Sequence, residues 1–101
     1  MAARKKKEKT SAIVQPSEVV RETTHQLLSH SQLIYSIFHA DAAVVVENLG
    51  FGDVYVSDAP NVEIGNEQQR LLFKEQRIFN GVAKLFFATG SEPVVSILEV
   101  K

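Results

Sequence analysis

The histidines are the first candidates for acid-base or metal chemistry in this sequence. The three histidines, His25, His30 and His39, have no zinc-binding spacing, and no HExxH pattern occurs. His39 and Asp41 would share one face of an extended strand and could together ligate a metal ion. The strand is expected to break between them, however, so an ordinary polar corner explains both residues. We predict no metal site and no cofactor.

Nucleophilic catalysis has equally little support. In Ser29-His30-Ser31 a hydroxyl stands beside an imidazole, but neighbouring side chains on a strand point to opposite faces. The GxSxG elbow of hydrolases does not occur. The carboxylates fall mainly at expected turns and strand ends, where they solubilise the chain and cap its bends: Asp41, Glu47, Asp53, Asp58 and Glu63. We therefore do not expect an enzyme.

Two loop motifs resemble ligand sites only superficially. One set of oxygen-bearing side chains could face a calcium ion but lacks the spacing of an EF-hand loop. Its members are Asp53, Asp58, Asn61 and Glu63. Gly50-Phe51-Gly52 lacks the third glycine and the following helix of a phosphate-binding loop. We interpret it as a turn.

A basic run lies near the start of the chain, opposed there only by Glu8. It consists of Arg4, Lys5, Lys6, Lys7 and Lys9. Because the formal net charge of the whole chain is -1, the remainder is acidic. We interpret residues 1–16 as an extended arm. The arm could neutralise phosphates, although it has no aromatic residue for base stacking, or it could dock on an acidic protein neighbour.

Length and composition describe one folded domain. A chain of 101 residues, 45% hydrophobic and 23% charged, is ordinary for a globular protein and has room for one core. It contains no cysteine, so disulfides and thiolate metal sites are excluded. No apolar run has the length of a signal-peptide core or a membrane span. The product is expected to be soluble, made in the cytoplasm and without a membrane partner.

Short β-prone runs alternate with turns over most of the chain. Residues 17–30 fit either a helical face or a strand, and we favour a strand. The later runs are too short for typical helices and cover residues 33–38, 43–46, 54–56, 62–64, 70–73, 77–79, 82–88 and 94–100. This spacing predicts an all-β fold over residues 17–101, a small antiparallel β-sandwich or barrel preceded by the arm.

Asparagine and glycine mark two expected reversals of the chain. Asn48, Gly50 and Gly52 lie between two β-prone runs at hairpin distance, which predicts a β-hairpin. Asn80-Gly81 is the dipeptide favoured where positive φ is required, so the chain is expected to reverse there as well.

The final run is apolar on both faces. One face would carry Val94, Ser96, Leu98 and Val100, and the other Val95, Ile97 and Glu99. Residues 44–46 and 85–87 repeat the pattern. Because one face of a small antiparallel sheet normally meets water, such strands are either central strands between two layers or covered by another subunit. The second explanation predicts a homo-oligomer.

Three segments resemble small β domains of tailed-bacteriophage virion proteins. They are VVENLGFGDVYV at residues 45–56, the Lys74-Glu75 bend before an aromatic residue, and VSILEV at residues 95–100. The shared hairpin reads asparagine, apolar, glycine, x, glycine, x, apolar, tyrosine, apolar. The chain departs from the family at Ser57-Asp58, where a glycine is usual, and at Lys74-Glu75, where proline-glycine-glutamate is common.

The resemblance implies a compact sandwich or barrel, often trimeric, in capsid decorations, head fibres, tails or baseplates. Such domains pack against other virion proteins and bring no catalytic residues. Structural roles are implied for the turn residues Asn48, Gly50 and Gly52, and a core or interface ring for Tyr55. The interface candidates are Tyr55, Phe86, Val95 and Ile97. We thus expect a virion structural protein that assembles by β-domain packing and by its arm, with other virion proteins and further copies as partners.

Two other functions stay open. A small nucleic-acid-associated protein would hold phosphates with its arm, and its binding would fall steeply with salt and vanish when the lysines at 5–7 are replaced. A carbohydrate-binding sandwich would need exposed rings at Phe51, Tyr55 or Phe79, most of which we expect in the core.

Overall fold

The computed structural model describes residues 18–101. Eight strands follow one another: β1 (Val19–Gln26), β2 (Leu33–Ser36), β3 (Ala43–Asn48), β4 (Val54–Ser57), β5 (Arg70–Leu71), β6 (Gln76–Asn80), β7 (Lys84–Thr89) and β8 (Val94–Val100). All strand pairs are antiparallel. The predicted all-β sandwich is confirmed, and the ambiguous segment forms β1. No helix able to cross a membrane occurs in this part of the chain. The predicted arm, residues 1–16, lies outside the described residues.

The strands form two sheets of four, in the orders β1-β8-β3-β6 and β2-β7-β4-β5. The pairs β4·β5, β3·β6, β2·β7 and β1·β8 are nested, so the chain is one long hairpin folded on itself. Successive rungs of this hairpin fall in different sheets. That connectivity, with eight strands in two sheets, is a jelly roll.

The predicted hairpin at Asn48, Gly50 and Gly52 is wrong. β3 pairs with β6 and β8 in the first sheet, whereas β4 pairs with β5 and β7 in the second. The link therefore crosses the sandwich. Gly81 has the expected positive φ of 69°, but the Asn80-Gly81 link also passes from one sheet to the other. Turn residues show that the chain bends, whereas the pairing of the flanking strands depends on distant segments.

The predicted strand at residues 62–64 is also wrong. These residues belong to the long β4–β5 loop, where the Glu63 amide donates to the side-chain oxygen Oε1 of Gln69 (2.8 Å) rather than to another strand. The run is only three residues long, so side-chain and turn hydrogen bonds compete with a strand ladder there.

The core lies between the two sheets and is made by alternate residues of each strand. The first sheet contributes Val44, Val46, Val95 and Ile97, and the second contributes Tyr35, Val54, Val56, Leu71, Leu85 and Phe87. Each large apolar side chain buried in this way stabilises the fold by about 1.5–3 kcal/mol relative to exposure.

The strands that are apolar on both faces are central strands. β8, β3 and β7 each have a neighbour on both sides. However, the described residues form only two layers, so no third layer covers the outward faces of these strands. Packing between the two sheets therefore explains the apolar inward faces of these strands but not their apolar outward faces.

The connecting loops gather at two ends of the sandwich. At one, which we call the loop end, the loops β1–β2, β3–β4, β5–β6 and β7–β8 meet. Backbone bonds join them, including Leu49 N to Val94 O (2.8 Å) and His30 N to Thr89 O (2.9 Å). At the opposite, terminal end, the β2–β3 and β6–β7 loops meet, and Glu18 pairs with Lys101.

Candidate functional site

The outer face of the first sheet carries an apolar row that crosses three strands. Val45 on β3 lies opposite Leu98 on β8 and opposite Ile78 on β6. Strand alternation points these side chains away from the core. Ile78 is 63% exposed, and Val45 and Leu98 are half-buried. We call these three residues the outer row.

Polar residues border the outer row on one side, and a half-buried apolar pair continues it on the other. Ser96, Glu47 and Gln76 form the next row across the same strands, and the Gln76 amide donates to the Glu47 carboxylate (Nε2 to Oε1, 3.1 Å). On the other side Val100 lies opposite Ala43. An apolar centre with a polar rim is the usual composition of a protein-protein contact surface.

A second apolar surface projects from the loop end. Its members come from the β3–β4 and β5–β6 loops and are all at least 37% exposed: Leu49, Phe51, Leu72 and Phe73. The Phe51 ring is 88% exposed and leans on the Phe73 ring, with centroids 4.4 Å apart. The Lys74 ammonium lies 5.6 Å from the centre of the Phe73 ring. We call the four apolar residues the tip cluster.

Asn48 fixes the two loops that carry the tip cluster. Its side chain is fully buried, and its amide donates to the carbonyl oxygens of Gly52 (2.8 Å) and Leu71 (2.9 Å). Its Oδ1 accepts the backbone N–H of Gly50 at 2.9 Å. The backbone of Lys74 donates to the Asn48 carbonyl at 2.7 Å. Because a buried amide is costly unless it is hydrogen-bonded, these contacts define one loop geometry.

Gly50 and Gly52 leave no room for a side chain. A Cβ on Gly50 would lie 2.7 Å from the Cα of Pro93, and one on Gly52 would lie 1.7 Å from the hydroxyl of Ser91. The β3–β4 loop therefore rests directly on the β7–β8 loop. The role of these glycines is close approach to that second loop.

A fully buried carboxylate lies near the terminal end of the sandwich. Glu99 on β8 points inward, and its oxygens accept the hydroxyl of Tyr35 (2.6 Å) and the backbone N–H groups of Phe38 (3.1 Å) and His39 (2.7 Å). The imidazole Nδ1 of His39 lies 3.0 Å from Oε1. Arg21 Nε donates to the Tyr35 hydroxyl at 3.0 Å and lies 3.9 Å from Glu99. We call this set the Glu99 network.

Hydrogen bonding keeps the buried carboxylate ionised. Burial opposes ionisation, but the bonds from Tyr35, Phe38 and His39 outweigh it and hold the pKa of Glu99 at about 2. Burial, followed by the bond to Glu99, raises the pKa of Tyr35. Burial and the nearby Arg21 lower the pKa of His25. The network joins β8 of the first sheet to β2 of the second sheet and to the β2–β3 loop. Its role is therefore to hold the two sheets together.

The predicted interface residues fall in two different places, the core and the outer face of the second sheet. Val95 and Ile97 are fully buried in the core, so a partner cannot reach them, and Leu98 carries the outward face of β8 instead. Alternation separates the two faces of this strand but does not say which face is inward. Tyr55 lies on the outer face of the second sheet, yet it is only 7% exposed because it is covered within the chain. Phe86 is half-buried on that same face.

Ser29 and His30 meet, contrary to the expectation from strand geometry. The segment is a turn in which His30 has a φ of 59°, and the Ser29 hydroxyl lies 2.8 Å from His30 Nδ1. The same hydroxyl donates to the carbonyl of Gly90 (3.2 Å), so the pair ties two loops together.

The other residues considered for chemistry have different partners. His39 faces the buried carboxylate, whereas Asp41 pairs with Lys101 at 3.2 Å, and this bond lowers the pKa of Asp41. Asp53, a calcium candidate, lies 3.7 Å from Arg70. Within residues 18–101, no group of three or more histidine, cysteine or acidic side chains is placed to hold a metal ion.

Sequence reasoning missed Glu99 and most of the tip cluster. The signal for Glu99 is a lone carboxylate on the inward face of β8 that otherwise holds Val95 and Ile97. Among the three rings considered for carbohydrate, Phe51 is exposed, Tyr55 is buried, and Phe79 packs against the core. The arm residues Arg4, Lys5, Lys6, Lys7 and Lys9 lie outside the described residues.

No protein-family model, curated protein or solved structure matches this chain. Its function is therefore inferred from the surfaces described above.

Proposed function

We propose that the chain is a structural protein of a bacteriophage particle, a capsid decoration, head-fibre or tail component that packs against copies of itself and other virion proteins. The outer row carries this proposal. Its side chains stay accessible on a sheet face that normally meets water. Covering such a surface is favourable by about 25 cal/mol for each Å² of apolar area removed from water.

The fold is compatible with a role in a particle but does not select it. Jelly rolls occur in viral capsid proteins and equally in lectins and cupins, so function has to be argued from surfaces. The Glu99 network supports a structural role, because its donors bind the carboxylate to strands and loops of the same sandwich.

A second copy is the simplest partner for the outer row. In a two-fold contact the same patch faces itself, so an apolar row meets an apolar row. The rim formed by Glu47 and Gln76 would remain hydrated at the edge of the contact. Other virion proteins would then contact the remaining surfaces and the basic arm.

Ile78→Asp is expected to weaken self-association at least tenfold, because a carboxylate in the middle of the row would lose its water on contact. The fold should survive, since Ile78 is 63% exposed. Sedimentation velocity over a range of concentrations measures the association, and circular dichroism checks the fold.

Asn80→Asp is the matched control. It places a carboxylate on the same strand and the same face, at an exposed polar position opposite Ala43, where the charge can stay hydrated at the edge of the contact. It should associate like the wild type. If Ile78→Asp associates as tightly as Asn80→Asp, the outer row is not an interface.

Membership of a particle is tested by mass spectrometry of purified phage. The chain is expected at a fixed number of copies per particle, and particles grown with Ile78→Asp should carry fewer. Intact particles that lack the chain would contradict the proposal.

A further inference from the structure

We propose that the tip cluster of one copy docks into a groove on the outer face of the second sheet of the next copy, joining copies head to tail. This contact deepens the proposed assembly role and in that sense rests on it. It uses none of the outer-row residues, so it can be tested separately.

The tip cluster is built as a rigid projection. The buried Asn48 amide and the tightly packed Gly50 and Gly52 hold its loops, yet Phe51 is left 88% exposed. A loop held this firmly loses little conformational entropy when it binds. Aromatic side chains presented in this way are the usual anchors at the centre of protein contacts.

The groove lies between the β1–β2 loop and the β4–β5 loop, with Ala88 of β7 among its lining residues. Its volume is about 390 Å³, and Val62 and Ile64 give it an apolar side. Ile64 is 44% exposed. His30 and Gln32 complete the opposite side. The groove therefore offers an apolar wall and enough volume for an inserted ring.

Each surface carries a charge opposite in sign to one on the other surface. Lys74 borders the tip cluster, and Glu63 belongs to the groove lining. Residues 18–101 contain eleven acidic and six basic residues, so Lys74 is one of few cations in this part of the chain. Its pairing with Glu63 of the next copy orients the contact.

The tip contact can join more than two copies, which a two-fold contact between outer rows cannot do. A two-fold contact between outer rows ends at two copies, whereas a tip and a groove are different patches and form a heterologous contact. Repeated, such a contact closes into a ring, a trimer among them, or grows into a fibre. A component of a shell or fibre needs a contact of this kind.

The test combines two variants of the full chain. Phe51→Ser removes the tip anchor but keeps the groove, and Ile64→Asp blocks the groove but keeps the tip. In an Ile78→Asp background each variant alone is expected to sediment as a monomer. Their mixture should form a 1:1 complex, because one intact tip then meets one intact groove. A mixture that stays monomeric, while the background protein with tip and groove intact associates, overturns the proposal.

Charge reversal provides a second, independent test of the contact. Lys74→Glu and Glu63→Lys are each expected to weaken association at least tenfold, and the double variant should recover most of it. Val19→Ser is the matched control for Phe51→Ser, since Val19 is 50% exposed at the opposite end of the sandwich. Association that Phe51→Ser leaves unchanged would also overturn the tip contact.

The two proposals fail separately. If Ile78→Asp leaves association unchanged while Phe51→Ser abolishes it, the outer row is refuted and the tip contact stands. The reverse pattern refutes the tip contact alone. A background protein that stays monomeric at every concentration with tip and groove intact also refutes it.

Discussion

Glu99 shows how one residue can decide the stability of a small sandwich. A carboxylate with no exposed surface would be strongly destabilising if it had no donors, yet here a tyrosine hydroxyl, two backbone N–H groups and an imidazole surround it. Replacing any one donor leaves part of a buried charge unsatisfied. The residue is therefore a sensitive position for both mutation and pH.

The depressed pKa of Glu99 predicts acid sensitivity of the fold. The ordinary pKa of 4.5 applies to the unfolded chain, and the folded value is about 2, so between these values the unfolded state binds the proton and the folded state does not. Stabilisation by Glu99 is therefore complete above about pH 4.5 and is lost as the pH falls towards 2. The shift corresponds to about 3 kcal/mol.

Glu99→Gln should lower the free energy of unfolding at pH 7 by about 3 kcal/mol and flatten its dependence on pH below 4.5. Urea unfolding at pH 7 and pH 3 measures both effects. Glu92→Gln, at an exposed carboxylate in the β7–β8 loop, is the control and should match the wild type. Equal acid sensitivity in the two variants would show that Glu99 contributes nothing to it.

At the scale of elements, the loop end is organised by contacts between loops. The β3–β4 loop reaches the β5–β6 loop through Asn48 and the β7–β8 loop through Gly50 and Gly52. These contacts position Phe51. A substitution that pushes these loops apart should therefore lower the free energy of unfolding and displace the tip cluster.

Gly50→Ala is expected to destabilise the fold by about 1–3 kcal/mol, the usual cost of overpacking. The new Cβ would lie 2.7 Å from the backbone Cα of Pro93, which cannot rotate away. Gly90→Ala is the matched control, because no atom lies within 4 Å of a Cβ built there. Thermal or urea unfolding compares them. Equal stabilities would show that the loops separate without cost.

At the scale of the whole molecule, charge divides the chain into two parts. Residues 1–16 carry five basic residues and one acidic residue, whereas residues 18–101 are acidic. Among the described residues, the first sheet starts with β1 at Val19, and Glu18 pairs with Lys101. The predicted arm precedes these residues in the sequence.

Deleting residues 2–15 should leave the cooperative unfolding of the β domain unchanged and, under the proposed function, reduce incorporation into the phage particle. Urea unfolding tests the first expectation, and copy number by mass spectrometry of particles tests the second. Loss of cooperative unfolding in the truncated chain would contradict this division into arm and domain.

Local pattern was enough to predict the all-β class and most of the strands. β8 runs from Val94 to Val100 as predicted, and its side chains alternate as expected. Apolar alternation and turn residues are local properties, so they can be read along the chain. The same information does not say which face of a strand points inward. The prediction that Val95 and Ile97 lie at an interface is therefore wrong, because both belong to the core.

Tertiary structure alone decided which strands pair and which polar groups meet. Asn48, Gly50 and Gly52 bend the chain, but β3 and β4 take their partners from distant segments, because pairing depends on burying apolar faces across the whole sandwich. Glu99 and Tyr35 stand 64 residues apart in sequence and bind each other at 2.6 Å. The sequence alone thus determines where most of the strands and turns form. The Glu99 network forms only because folding brings residues that are remote in sequence within hydrogen-bonding distance.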